Sequence, residues 1–322
     1  MTDKPKLFIT RPLPKSITDI LSTDFQVTLR QEVTALKPSE ISNIFIEFDC
    51  VLTTFGDVFG ASDFKSDQRC KLLANYGVGY SHIDIQAAKA AGVTVTITPG
   101  AVTEATADIA MMLMLMAGRR ASEGEACVRA GKWTGWHPNQ YLGQNITGKT
   151  LGIVGMGRIG QAVATRAHFG FRMKIVFFNR SQVTHLEIPN TQQLSTISEL
   201  MAQSDFVQIC VPGGADTQHL IGVEALSAMK PHGVIINTSR GEVIDETALI
   251  NALVNNQIFA AGLDVYENEP VIPEALRNLP NVTLLPHMGT SVLEVRELMG
   301  SVVIESLQAF VAGKPIPNVV SN

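Results

Sequence analysis

The fold is decided by one stretch, Leu151-Gly152-Ile153-Val154-Gly155-Met156-Gly157-Arg158-Ile159-Gly160, which is followed by a helical pattern, Gln161–Phe169. A bare G-x-G-x-x-G is a weak signal, but a strand, a glycine turn and a helix in this order predict a dinucleotide site. Gly155 permits the tight turn, Gly157 admits the pyrophosphate, and Gly160 lets the helix pack on the strand. Amides at the helix start would then face the phosphates.

The end of the next strand predicts which cofactor is preferred. Asn179 stands where an NAD site usually carries Asp or Glu, and Arg180 and Ser181 follow it. Asn does not repel a 2′-phosphate, Arg180 can pair with one, and Ser181 can donate a hydrogen bond to it. The alternative is a solvated loop arginine beside a strand end. We therefore expect NADPH to be preferred, with NADH possible.

Short apolar runs alternate with helical patterns along the whole chain, which indicates α/β architecture with parallel strands. The expected strands are Leu7–Thr10, Cys50–Thr54, Leu72–Asn75, Val93–Ile97, Thr150–Val154, Lys174–Asn179, Phe206–Val211, Val234–Thr238, Ala260–Val265 and Thr283–Leu285. The expected helices include Ile83–Ala91, Thr103–Arg120 and Val292–Ala312. The number of strands predicts two doubly wound parallel-sheet domains.

Composition excludes several classes of protein. The 322 residues, 45% hydrophobic and 17% charged, are typical of a globular chain of two domains. A net charge of −5 without a basic run argues against nucleic-acid binding. Four cysteines without a C-x-x-C pair suggest neither a metal site nor a redox dithiol, and a cytoplasmic location is expected. The most apolar stretch, Ile109–Ala117, is too short to span a membrane.

Three segments in the second half place charged or titratable residues after expected strands. They are Asn237–Gly241 with Arg240, Gly262–Pro270 with Glu269, and Leu285–Thr290 with His287. In open α/β sheets, ligands bind at the carboxyl ends of the strands. Reduction of a 2-oxo acid needs a cation for the carboxylate, a proton donor, and a carboxylate that keeps the donor charged. Singly, each residue is more often structural or solvated; behind a nucleotide motif, the three predict this chemistry.

Along its whole length the sequence resembles the D-isomer-specific 2-hydroxyacid dehydrogenases. The motifs that carry the resemblance are Gly77-Val78-Gly79 with Ile83-Asp84, Gly155–Gly160, Thr238–Gly241, Asp264–Pro270 and Pro286–Thr290. The resemblance implies that His287 is the acid/base, Glu269 its partner, and Arg240 the substrate-binding arginine. It also implies that amides of Val78 and Gly79 bind the substrate carboxylate. Cofactor contacts are expected at Arg158, Ile159, Val211, Pro212, Thr238, Asp264, His287 and Gly289, with Asp264 on the nicotinamide carboxamide.

The resemblance also implies the domain organisation. A flavodoxin-like substrate domain, residues 1–100 and 288–322, would be interrupted by a Rossmann cofactor domain, residues 101–287. The latter would include a dimerisation helix and arm at 103–147, giving a homodimer. Trp136, in the segment Trp133–Pro138, would reach the partner subunit's site; the alternative is that both tryptophans are core or interface aromatics.

Within the family the chain is most similar to glyoxylate and hydroxypyruvate reductases, so a small 2-oxo acid is the expected substrate. One alternative is a reductase of a larger sugar-derived 2-oxo acid of the 2-ketogluconate type. An alternative of another class is a nucleotide-sensing binding module of the corepressor type. Such modules keep similar motifs, and the absence of long disordered extensions here argues against that class.

Overall fold

The computed structural model describes residues 4–320, which form two compact units. Unit 1 comprises the described residues of Met1–Val102 and Thr290–Asn322, and unit 2 is Thr103–Gly289. Each junction falls two residues beyond the boundary drawn from the sequence. Over residues 4–320, no helix combines the length and the apolar character needed to cross a membrane.

Unit 1 is built on a parallel five-stranded sheet in the order β2-β1-β3-β4-β5, the flavodoxin-like order. Its strands are β1 (Lys6–Ile9), β2 (Gln26–Leu29), β3 (Cys50–Thr53), β4 (Leu72–Asn75) and β5 (Thr94–Thr96). The sequence did not predict β2, because this edge strand is short, partly exposed and polar at alternate positions. Strands β3 and β4 are buried throughout, which is why they read as continuous apolar runs.

The helices α1 (Lys15–Asp24), α2 (Pro38–Glu47) and α3 (Ile85–Ala90) connect these strands. The Ile83-Asp84 motif lies at the start of α3, where Asp84 acts as the N-cap of the helix. The Asp84 carboxylate accepts a hydrogen bond from the Ala87 amide at 2.9 Å and caps the helix. Helix α2 was not among the helices expected from the sequence.

Unit 2 is built on a parallel seven-stranded sheet in the order β12-β11-β10-β9-β6-β7-β8. Its strands are β6 (Thr150–Val154), β7 (Lys174–Phe178), β8 (Gln192–Gln193), β9 (Phe206–Ile209), β10 (Val234–Asn237), β11 (Ala260–Leu263) and β12 (Val282–Leu284). Strand order reverses between β6 and β9, so the carboxyl ends of these two strands border the crevice in which doubly wound sheets bind ligands. Each strand expected from the sequence overlaps one of the structure; β8 was missed because it is two polar residues.

Helices cover both faces of this sheet: α4 (Thr103–Gly118), α5 (Ala121–Arg129), α6 (Arg158–Thr165), α7 (Ile197–Gln203), α8 (Val223–Ser227), α9 (Glu246–Val254) and α10 (Glu274–Arg277). Residues of α4 and α6 pack in one core cluster, and residues of α7 to α9 pack in another on the opposite face. Helix α6 begins at Arg158, inside the glycine motif, and not after it as expected; a π-helical turn, Arg166–Gly170, extends it.

The apolar helix α4 is covered largely by its own unit. It packs against α6, β10, β11 and β12, and Leu113 and Met114 are fully buried. Its apolar sequence is therefore accounted for by intrachain burial on several sides. Only Ile109, Met112, Leu115 and Met116 remain partly exposed among its large apolar residues.

The last helix, α11 (Leu293–Val311), belongs to unit 1 and packs on α1 and β4. The approach to α1 is close: a Cβ added at Gly300 would lie 2.3 Å from the Ile17 side chain. The Tyr76 hydroxyl donates a hydrogen bond to the Arg296 carbonyl and ties the end of β4 to the helix. A discontinuous sequence thus forms one packed unit.

Candidate active site

The glycine turn has a separate physical reason for each glycine. Gly155 has φ +99°, and a Cβ there would lie 2.9 Å from the backbone of Cys210 and of Val211, at the point where strand order reverses. A Cβ at Gly160 would lie 2.3 Å from the Gly155 carbonyl oxygen, so only glycine lets α6 approach β6. Nothing lies within 4 Å of a Cβ at Gly157, which leaves open space beside the first amides of the helix. This cradle fits a dinucleotide pyrophosphate.

Asn179 faces the glycine turn. Its Oδ1 accepts a hydrogen bond from the Met156 amide at 3.2 Å, and its Nδ2 donates to the carbonyl and the hydroxyl oxygen of Ser181. The Arg180 side chain is 90% exposed and lies 3.7 Å from the Asp216 carboxylate, which is equally exposed. The end of β7 therefore presents a neutral amide, a hydroxyl and a long, exposed cation, and position 179 carries no carboxylate.

Arg240 is held in a loop that begins where β10 ends. The buried Asn237 side chain donates to the Arg240 carbonyl at 2.9 Å and accepts hydrogen bonds from the Ser239 amide and hydroxyl. Next to it, the Thr238 hydroxyl oxygen accepts a hydrogen bond from the buried Gln208 amide at 2.9 Å. Burial lowers the pKa of the Arg240 guanidinium, and the charges of Glu242 and Glu269 oppose that shift. The guanidinium is the cationic group of this loop, since arginine side chains are not deprotonated in proteins.

His287 and Glu269 form a direct pair. His287 Nδ1 lies 2.8 Å from Glu269 Oε2, and the other carboxylate oxygen accepts the Tyr266 amide at 3.0 Å. The backbone of His287 has φ +54°, a left-handed conformation that a non-glycine residue keeps only when its surroundings hold it. Both side chains are partly exposed, His287 more than Glu269, so a substrate can reach the imidazole.

Asp264 holds the backbone around His287. Its carbonyl accepts the His287 amide at 2.9 Å, and its carboxylate accepts the Met288 amide at 2.6 Å and the Gly289 amide at 2.8 Å. Complete burial raises the pKa of the Asp264 carboxyl, although these amides and the His287 charge act against the rise. A role in orienting the His287 loop is thus built into a residue that sequence analysis assigned only to the cofactor.

The Gly77-Val78-Gly79 turn lies in unit 1 and is fixed by the buried Asn75. Its side-chain amide donates to the carbonyls of Gly77 and Gly79 at 3.1 and 3.0 Å. An amide and the preceding carbonyl point in opposite directions across a trans peptide. Holding the Gly77 carbonyl therefore aims the Val78 amide away from Asn75.

The structure brings together the residues that follow three adjacent strands. Arg240, Glu269 and His287 come from the loops after β10, β11 and β12, which are neighbours in the sheet of unit 2. Trp133 and Trp136 lie elsewhere, in a segment without helix or strand, and are 55% and 80% exposed. Over residues 4–320 there is no group of three His, Cys, Asp or Glu side chains that could hold a metal ion.

Several site-supporting residues were not singled out for such a role from the sequence. They are Asn75, Gln208, Asn237 and Tyr266, all buried near the carboxyl ends of strands. The signal that could have found the first three is an amide side chain within or at the end of a strand that is otherwise apolar. Such groups persist in a buried strand only when they are hydrogen-bonded.

The sequence is similar to one known family and to known proteins over most of its length. A family model described as "D-isomer specific 2-hydroxyacid dehydrogenase, NAD binding domain" matches residues 111–289. A glyoxylate reductase from Thermococcus litoralis is 41% identical over 322 residues, covering 99% of this chain and 97% of that protein. A glyoxylate reductase from Pyrococcus furiosus is 38% identical, covering 99% and 96%.

Solved structures are similar over the whole chain. An NADPH-dependent glyoxylate/hydroxypyruvate reductase from Sinorhizobium meliloti, in complex with NADP and malonate, superposes with a TM-score of 0.88 at 30% identity. The similarity covers 99% of this chain and 97% of that one. A glyoxylate reductase from Paecilomyes thermophila gives a TM-score of 0.86 at 32% identity, covering 99% of both chains.

Proposed function

Because the chain belongs to the D-isomer-specific 2-hydroxyacid dehydrogenase family, we propose that it reduces glyoxylate or hydroxypyruvate, with NADPH as the preferred cofactor. It is an NAD(P)-dependent oxidoreductase that acts on small 2-oxo or 2-hydroxy acids. The observation that carries the proposal is the 2.8 Å contact of His287 with Glu269, on loops adjacent to that of Arg240. The relatives' names do not favour the sugar-acid or corepressor alternatives.

In this proposal Arg240 binds and polarises the substrate. Its planar, forked guanidinium can hold the carboxylate and draw electron density from the adjacent carbonyl oxygen. Half-burial of the loop strengthens these interactions because less water competes for the charge. The amides of Val78 and Gly79 are proposed as further donors to the substrate carboxylate.

His287 is the proposed proton donor. Its Nδ1 is engaged with Glu269, so Nε2 is the nitrogen that gives a proton to the carbonyl oxygen as that oxygen becomes a hydroxyl. The Glu269 carboxylate stabilises the imidazolium form and fixes the ring orientation. A bound nicotinamide cofactor supplies the hydride that reduces the 2-oxo carbon. Gly155, Gly157, Gly160, Arg158 and Ile159 are the proposed pyrophosphate cradle.

Further proposed cofactor contacts are Val211, Pro212, Thr238, Asp264, His287 and Gly289 at the ends of β9 to β12. The preference for NADPH rests on Asn179, Arg180 and Ser181. The Ser181 oxygen accepts from Asn179, which leaves its hydroxyl hydrogen for a phosphate oxygen. The exposed contact of Arg180 with Asp216 is weak, so a doubly charged 2′-phosphate can displace it.

The cofactor preference is tested by two substitutions at the ribose edge. Asn179→Asp should weaken NADPH binding by like-charge repulsion and favour the hydroxyl of NADH. Arg180→Ala should raise KM for NADPH about tenfold or more and leave KM for NADH nearly unchanged. Raised salt should weaken NADPH binding more than NADH binding. Equal use of both cofactors, unmoved by either substitution, would refute the preference and leave the family assignment intact.

A homodimer is also part of the proposal. Val128, Trp133, Trp136 and Leu142 expose large apolar side chains in and around the arm, and exposed apolar groups of this kind mark contact surfaces. We propose that this arm contacts a second copy and that Trp136 reaches its substrate site. Light scattering at micromolar protein should report the dimer mass, and a monomer would refute both statements. The four cysteines form no disulfide, which supports a cytoplasmic location.

Initial rates test the proposed reaction directly. Glyoxylate, hydroxypyruvate, 2-ketogluconate and a neutral ketone should each be offered with NADPH and with NADH, and cofactor absorbance followed. The proposal predicts the highest kcat/KM for one of the two small acids with NADPH. A higher value for 2-ketogluconate would support the larger substrate, and binding of cofactor without any turnover would support a sensing module.

A further inference from the structure

Tyr266 lies where the three loops of the candidate site meet. It follows β11, is 5% exposed, and has no role in the mechanism proposed above. Its main chain and its side chain make contacts with segments that carry three different functional residues. The inference below rests on the proposed roles of those residues.

The first contact is with the loop of Arg240. A Cβ added at Gly241 would lie 1.8 Å from the carbonyl carbon of Tyr266 and 1.9 Å from its carbonyl oxygen. The peptide that follows Arg240 therefore packs directly on the peptide of Tyr266, and only glycine permits that approach.

The second contact is with Glu269. The Tyr266 amide donates to Glu269 Oε1 at 3.0 Å, while Oε2 of the same carboxylate lies 2.8 Å from His287 Nδ1. The carboxylate is thus held from one side by the backbone of Tyr266 and presents its other oxygen to the imidazole.

The third contact is made by the side chain. The Tyr266 hydroxyl donates to the Leu285 carbonyl at 2.7 Å, two residues before His287, and lies 3.4 Å from the Leu263 carbonyl. The next residue, Pro286, has no amide hydrogen to continue the strand pairing. The hydroxyl therefore anchors the chain at the point where β12 ends and the left-handed backbone of His287 begins.

We propose that Tyr266 is a positioning residue whose hydroxyl bond to Leu285 sets His287 against Glu269 and keeps both in register with Arg240. Phenylalanine at this position would keep the buried ring and the amide contact with Glu269, but it would remove the hydroxyl anchor at Leu285. The His287 segment would then be held to the β11 loop by its backbone bonds to Asp264. A mere core tyrosine would instead contribute to stability without any effect on proton transfer.

The test compares Tyr266→Phe with Ser204→Ala in the full-length chain. Ser204 is a matched control because its buried hydroxyl also donates to a backbone carbonyl, that of Leu200, at 2.7 Å in the same unit. Ser204 lies before β9, at the amino ends of the strands, whereas Tyr266 follows the carboxyl end of β11. Both variants should lose a similar amount of Tm, since each loses one buried hydrogen bond.

Only Tyr266→Phe should change the chemistry. We expect about a three- to tenfold fall in kcat, the range of one buried hydrogen bond, with an unchanged Kd for NADPH. The alkaline limb of its kcat/KM profile for reduction should move to lower pH, because a poorly aligned Glu269 stabilises the imidazolium less. The Asp264 carboxylate interacts with both His287 and Glu269, and Arg240 is the cation that interacts with Glu269. An unchanged kcat and pH profile, with a loss of Tm equal to that of Ser204→Ala, would overturn the proposal.

A measurement without turnover separates this inference from the proposed function. The His287 Cε1–H NMR signal, assigned by its loss in His287→Gln, can be titrated in the wild type and in both variants. A shifted titration in Tyr266→Phe alone supports the positioning role even where no 2-oxo acid is reduced. Identical titrations in all three proteins would exclude it.

Discussion

The amino ends and the carboxyl ends of the strands in unit 2, called here the amino edge and the carboxyl edge, both hold ionisable side chains. The pKa shifts of these side chains differ in direction between the two edges. At the amino edge, Asp205 accepts hydrogen bonds from the Thr150 amide, the Lys230 ammonium and the His232 ring. Burial alone would raise the pKa of the Asp205 carboxyl, but these donors lower it to about 2. At the carboxyl edge, Asp264 accepts two amides, yet its complete burial raises its pKa.

The contrast shows what separates a stabilising charge from a functional one. Asp205 has a cationic partner in the Lys230 ammonium, so its charge is favourable in the folded state and contributes to stability. At the carboxyl edge, Asp264 is held by neutral amides, and burial lowers the pKa of the Arg240 guanidinium. Its groups are kept in place at a cost in stability, as expected where they serve a ligand.

The largest expected effect is a loss of kcat caused by a substitution at the carboxyl edge. His287→Ala should lower kcat by about 10²–10⁴-fold, because a positioned general acid is typically worth that much. Its Tm should remain close to wild type, and NADPH should still bind. A kcat near the wild-type value would remove His287 from the mechanism.

The second effect sharpens the comparison at Arg240. Arg240→Lys keeps the charge but loses the fork, so kcat/KM for the acid should fall roughly 10- to 150-fold, the range of a charged hydrogen bond. The neutral ketone serves as the control substrate, because it offers no carboxylate to bind. Should the wild type reduce this ketone as well as the acid, the assignment of Arg240 would be wrong.

The third effect is confined to the amino edge. Asp205→Asn should lower the free energy of unfolding by about 1–3 kcal/mol, because the Lys230 ammonium loses a charged acceptor. The initial rate at saturating substrate should not change, since these contacts lie at the opposite ends of the strands from His287. Urea unfolding and a rate assay on the same sample measure both quantities, and a parallel loss of kcat would show that the two edges are coupled.

The smallest effect is the pH dependence of that loss. The folded pKa of Asp205 is below its ordinary value of 3.8, so its contribution is present above that value and is lost as the pH falls towards 2. The stability difference between wild type and Asp205→Asn should therefore shrink between about pH 4 and pH 2. A stability difference that stays constant down to pH 2 would contradict an ionic origin of the Asp205 contribution.

The sequence predicted the elements whose physics is local. The apolar strand before Gly155 and the steric reasons for Gly155 and Gly160 could be derived from residue order alone, and the structure supports them. The short strands β2 and β8 could not, because neither has an apolar pattern and each is defined by a neighbour distant in sequence. The resemblance, and not the apolar pattern, placed α4 at a subunit interface; most of the helix is covered within unit 2.

The candidate site divides in the same way. Residue types and spacing singled out Arg240, Glu269 and His287 as candidates, because each follows an apolar strand. The supporting roles of Asp264 and Tyr266 could not be predicted, since both residues act on backbone groups that the fold brings close. A hydroxyl that finds a carbonyl nineteen positions away has no signature in the residue order.

The hydrogen bond from the Thr106 hydroxyl to the Gly289 carbonyl, 3.3 Å long, joins the first turn of unit 2 to its last residue. The chain therefore enters and leaves this nucleotide-binding module at nearly one point. A domain whose two ends lie close together can be inserted into a surface loop of another domain, because the loop only has to be opened at one place. Thr103–Gly289 is therefore the segment that can be removed or exchanged as one module, because its two ends lie close together.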